Sequence, residues 1–85
     1  MLSHDELWGR IVAHQQETFR QKLGGEFTYV IKGNAVYPDR TNWHIHRKNF
    51  EKALERMPFD TTSVLQDLQG PSYVYAIMKD KRICG

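Results

Sequence analysis

Hydrophobic and polar positions change period several times along this chain, and each change marks an element. Ser3 and Glu6 have the spacing of a capping box, in which each side chain satisfies a backbone N–H at the open end of a helix. Behind them Leu7, Trp8, Ile11, Val12, Phe19 and Leu23 recur at three- to four-residue spacing on one face, and Gly24-Gly25 offers a left-handed exit. A first helix is therefore predicted over about residues 4–23. From Glu26 the period becomes two: Phe27, Tyr29 and Ile31 face one way, Thr28, Val30 and Lys32 the other, as in a strand with one face in a core. Gly33-Asn34 suits a two-residue hairpin turn, because glycine accepts a positive φ at its first position. The return through Ala35, Val36 and Tyr37 meets Pro38, which donates no hydrogen bond, so that strand is expected to be short or at an edge. Asp39 to Asn42 reads as a polar turn and Trp43-His44-Ile45-His46 as another strand.

A second helix is predicted over about 47–57, burying Phe50, Ala53, Leu54 and Met57 and ending at Pro58. A shorter third helix is expected near 61–69, with Asp60 as cap, Val64, Leu65 and Leu68 as its stripe and Gly70 as its stop. The run Tyr73-Val74-Tyr75-Ala76-Ile77-Met78 has two readings. Pro71 suits a first helical position, and Tyr73, Val74 and Ile77 share a helical face; the β-branched and aromatic content also suits a buried strand. Helix is the preferred reading. The sum is an α+β domain over residues 1–85, an N-terminal amphipathic helix packed on a small antiparallel sheet of about three strands and followed by two or three short helices.

With 85 residues there is room for one domain, whose core supplies no more than about 3–5 kcal/mol unaided. One cysteine, Cys84, excludes an internal disulfide, and a free thiol suits a reducing compartment. Cys84 is expected to lie in a fraying end. Neither a membrane-spanning run nor a signal-peptide pattern is found, so a cytoplasmic setting is expected. The net charge of +2 is too small to argue for a polyanion partner, although the cations concentrate in the middle third.

Four constellations carry possible chemistry. His44 and His46 lie at i and i+2, on one face of a strand, but a zinc site needs three or four ligands and nothing completes the set, so neither metal nor cofactor is expected. Lys48, Lys52 and Arg56 form a stripe on the second helix, with Arg40 and Arg47 near its start; Glu51 and Glu55 interleave as on an ordinary solvated helix. Thr61 to Lys79 can be read as helix, turn, helix, with Tyr73, Tyr75 and Lys79 on a recognition helix, against which Gln66, Gln69 and Pro71 stand where that motif wants small or apolar residues. No nucleophile has a base beside it, so no catalytic residue is assigned.

The order Phe27-Thr28-Tyr29 with a Gly-Asn turn, then Arg47…Phe50-Glu51-Lys52-Ala53-Leu54, then Gly70-Pro71-Ser72-Tyr73-Val74-Tyr75-Ala76-Ile77 with Asp80…Arg82-Ile83, resembles a group of small bacterial proteins of unknown function carried on integron gene cassettes and other mobile elements. The similarity spans about residues 24–83. It implies a bacterial, cytoplasmic, stand-alone domain with no established activity, and hence no functional residues to carry over.

The expected function is a homo-oligomeric binding or interaction module with a protein or nucleic-acid partner. Candidate partner-binding residues are Arg40, Arg47, Lys48, Lys52, Arg56, Tyr73, Lys79 and Arg82. Self-association is expected because three short strands have too little surface to bury all the aromatic residues, and Trp8, Val12, Phe19, Tyr73 and Tyr75 are the candidate interface. The alternative is a small enzyme or ligand binder with a pocket between subunits near Trp43, His44 and Tyr73.

Overall fold

The computed structural model describes residues 2–84. Helix α1 (His4–Ala13) starts as the capping box dictates: the Glu6 N–H donates to Ser3 Oγ at 3.1 Å and the Ser3 N–H to Glu6 Oε1 at 3.0 Å. It buries Leu7 and Ile11 but ends at Ala13 rather than Leu23. Positions 14–18 are His, Gln, Gln, Glu and Thr, so nothing there could hold further turns against a core. The Ile11 carbonyl, left over at the helix end, accepts instead from the buried Tyr29 hydroxyl, and Gln16 turns the chain back with φ at 70°. Burial pushes the Tyr29 phenol well above its ordinary range, so it stays a donor.

Phe19 thus enters a strand. β1 (Phe19–Arg20) pairs antiparallel with β2 (Glu26–Phe27), setting Phe19 opposite Phe27. Gly24-Gly25 serves the intervening turn rather than a helix exit, and Leu23, expected on the apolar face, is 99% exposed there. A second antiparallel sheet has the order β3-β4-β5, from Tyr29–Lys32, Ala35–Pro38 and Ile45–His46. The hairpin forms as expected, with Lys32 opposite Ala35 and φ of +59° at Gly33. β4 is short, as Pro38 required, yet central: the proline closes the pairing opposite Tyr29, and the Asp39 N–H continues it to the Thr28 carbonyl at 2.9 Å. The outer edge of β3 is covered by the turn after α1, where the Gln16 N–H donates to the Tyr29 carbonyl at 2.7 Å and Gln15 Oε1 accepts from the Ile31 N–H at 3.0 Å. Only Ile45 and His46 of the expected third strand are paired.

α2 (Arg47–Arg56) is capped by His46, whose Nδ1 accepts from the Lys48 N–H at 3.1 Å, and buries Phe50, Ala53 and Leu54. Met57 is extended, as a residue before proline prefers. The expected third helix shrinks to a 3₁₀ turn at Thr62–Leu65, capped by Thr61 rather than Asp60; Leu65 and Leu68 are buried while Val64 is exposed. Two apolar anchors hold one tight turn, not a longer helix. α3 (Pro71–Met78) settles the aromatic run as helix, with Val74, Ala76, Ile77 and Met78 buried. Its Gly70 cap has φ of +58°, and a Cβ there would lie 2.7 Å from Ile45 Cδ1, so glycine lets α3 start hard against β5.

The helices gather on the inner side of the sheets, with α2 touching α1, α3 and β5. Ile83 and the half-buried Cys84 pack on the same core, so the turn after α3 is held in place rather than fraying. Among the described residues, no helix is long and apolar enough to cross a membrane.

Candidate functional site

Two of the four cations on α2, Arg47 and Arg56, are paired, in part by carboxylates from elsewhere in the fold. Arg47 donates to Glu51 at 3.1 Å and to Asp5 at 3.3 Å, and its guanidinium lies 5.2 Å from the Trp8 ring centre. Arg56 forms a two-point pair with Asp67, at 2.6 and 2.9 Å, and also donates to the Val64 carbonyl. This pairing holds the Asp67 carboxyl at about 2 and raises the arginine further. Lys48 and Lys52 are exposed.

Lys79 and Arg82, after α3, are likewise engaged. Lys79 donates to the Phe59 carbonyl at 2.9 Å. Arg82 binds Asp80, Glu17 and the Thr18 carbonyl and lies 3.9 Å from the Phe19 ring centre. Its hydrogen bond is the largest influence holding Asp80 below the usual carboxylate range; for Glu17 the His14 ring comes first and Arg82 second.

The expected interface residues also make contacts inside the chain. Phe19 is 1% exposed, which removes it from any surface of the folded domain. Trp8 packs on Phe50, Tyr73 sets its edge against Phe27 at 4.9 Å, and Tyr75 rests on Phe59 while donating to the Asp60 carbonyl; all three are half-buried, as is Val12. The two small sheets and the helices together cover more aromatic surface than three strands alone would. As a recognition helix α3 is poorly placed, because half its residues are core.

The outer face of the three-stranded sheet is built differently. Register and alternation bring Val30 and Tyr37 into one row and Lys32, Ala35 and His46 into the next, with His44 beside Tyr37 just before β5. His44 stacks on Tyr37, with ring centres 5.2 Å apart and planes 25° from parallel, and Lys32 Nζ lies 5.1 Å from the same ring centre. His44, His46 and Lys32 are exposed, and none of the six positions is a carboxylate. His46 Nδ1 is engaged as the α2 cap and His44 in the stack; among the described residues no group of three His, Cys, Asp or Glu could hold a metal ion.

Lys32 and Tyr37 were absent from the sequence-derived site. The signal was present in part: the hairpin turn fixes Lys32 against Ala35, and counting in twos from there puts Lys32 and Tyr37 on one face.

Beside this sheet a groove of about 280 Å³ opens between the β4–β5 loop and the start of α3. Arg40, Thr41 and Trp43 line one side, Gly70 to Tyr73 the other, and Ile45 is also in its wall. It brings Trp43 and Tyr73 together within one chain, whereas His44 stays with Tyr37. Comparison with protein-family models, with curated proteins and with solved structures finds no match for this chain.

Proposed function

We propose that the protein is a small binding module that holds single-stranded nucleic acid on the outer face of its three-stranded sheet. The observation that carries this reading is the Tyr37–His44 stack, flanked by Lys32 and free of carboxylates. Flat rings at sheet positions accept unstacked bases, and nearby ammonium groups accept phosphates, a combination that needs no sequence preference. A cytoplasmic setting, expected from the sequence, belongs to the same proposal.

The test is fluorescence anisotropy with labelled single-stranded DNA and RNA homopolymers at low salt. Saturable binding that Tyr37→Ala weakens supports the reading. No binding to either polymer, or binding indifferent to Tyr37, rejects it.

Self-association remains a second proposal, now supported by Leu23 at 99% exposure beside a hollow lined by Gln21, Lys22, Thr62 and Ser72. A twofold dimer would cover it. Sedimentation equilibrium at micromolar concentration checks it, and a monomer mass throughout rejects it.

A further inference from the structure

The groove beside Trp43 has its own chemistry, separate from the sheet face. Trp43 presents an indole that is 59% exposed, although tryptophan usually buries most of its large ring. Arg40 is the only charged residue in the lining. Its Nη1 donates to the Glu26 carbonyl at 3.3 Å, and a Cβ on Gly25 would sit 2.9 Å from that same nitrogen, so glycine leaves room for the guanidinium. A single backbone hydrogen bond fixes one arm of the fork and leaves its other donors for an anion. Across the groove, Ser72 Oγ accepts from Gln21 Nε2 at 3.3 Å, which keeps its own hydroxyl hydrogen for donation.

We propose that this groove is a nucleotide site, with the base against Trp43 and the phosphate on Arg40. Charge selects the ligand class: a lone arginine with no lining carboxylate favours an anion, and its planar fork matches phosphate oxygens. The exposed indole calls for a flat ring joined to that anion. Size sets the limit, since about 280 Å³ lies just below the common range of roughly 300–1,000 Å³ for ligand pockets and admits one ring system with its phosphate rather than a dinucleotide. A free nucleotide and the terminal nucleotide of a strand offer the same groups. The site does not depend on the sheet-face reading.

The experiment uses the Trp8→Phe variant, which leaves Trp43 as the sole indole, titrated with adenosine 5′-monophosphate and with adenosine. Saturable quenching is expected, with adenosine weaker by about tenfold, the scale of one charge-assisted hydrogen bond. Arg40→Gln should erase that difference, and Tyr37→Ala should leave it intact. Calorimetry on the native chain repeats the comparison, so a packing defect in either variant cannot decide the matter. Stronger binding of a 5′-phosphorylated oligonucleotide than of its circular form identifies a strand end as the natural occupant; equal binding of the two, with the monophosphate still held, identifies a free nucleotide. The proposal is overturned if the monophosphate and adenosine behave alike, if neither binds, or if Tyr37→Ala abolishes the quenching. It is also overturned if Trp43 emission changes with protein concentration alone, which would put a second copy of the chain in the groove.

Discussion

Two surfaces of this protein carry cations that meet opposite fates. On α2, Arg47 and Arg56 are met by carboxylates from other elements, Asp5 and Asp67, so their charge is consumed in holding the fold together. On the outer sheet face Lys32 lies over an aromatic ring with no carboxylate in the surrounding positions, so its charge remains available. The lesson is that the number of cations on an element says little until the partners brought by tertiary structure are known. Arginines in ion pairs are a structural resource; a lysine with no carboxylate partner is a binding resource.

The largest expected effect breaks the sheet face. Tyr37→Ala should weaken single-strand binding by about ten- to a hundredfold, the scale of about 1–3 kcal/mol for one lost stacking contact, with little change in thermal midpoint. Equal loss of binding and of folding would erase the distinction between the two surfaces. Next comes Arg47→Met on α2. It removes a half-buried pair with Glu51 and the packing on Trp8, and denaturant titration should show stability lower by about 1–2 kcal/mol, with binding unchanged.

A smaller effect separates the surfaces by salt. Lys32→Gln should reduce the slope of log K against log salt by about 0.7, the contribution of one phosphate on a single strand, while Arg56→Gln should leave the slope as it was. An equal reduction in both variants would mean that the helix row also meets the ligand.

The smallest effect is the acid dependence of stability. Folding lowers the proton affinity of Asp67, Asp80 and Glu17, so the unfolded chain binds more protons as the pH drops. Their contribution is complete above the ordinary carboxylate range near pH 4–5 and disappears as the pH falls toward about 2, where Asp67 itself is protonated. Melting temperatures followed from pH 7 to pH 2 should therefore decline less steeply in Arg56→Gln and Arg82→Gln than in the native chain. Lys32→Gln should follow the native curve. Four superimposable curves would show that these pairs do not couple to folding.

Much of the architecture was legible because local rules and tertiary packing agree there. The α1 capping box, the Gly33-Asn34 hairpin and the Phe50, Ala53, Leu54 face of α2 each use chemistry contained within a few residues. The end of α1 was not legible, because Phe19 and Leu23 fit a helical period as well as a strand and turn; pairing with Phe27 decides between them. The third helix failed for a related reason, since the Val64, Leu65 and Leu68 stripe is right for a helix but only two of its members find a core. At the candidate site the cations could be counted from the sequence, but not their partners, because Asp5 lies 42 positions before Arg47 and Asp67 11 after Arg56. A pocket near Trp43 and Tyr73 was expected between subunits; that the two meet within one chain depends on Gly70, which lets α3 start against Ile45.

The Arg82 contacts have a consequence for the order of events during synthesis. Arg82 reaches back 65 positions to Glu17 and 64 to the Thr18 carbonyl, and Arg10 reaches forward 73 to the Ile83 carbonyl. On a ribosome, α1 and the first sheet therefore emerge long before the residues that clamp them, and until then the apolar side of Leu7, Ile11 and Phe19 lacks its last cover. The core closes late, once the buried Ile83 has emerged.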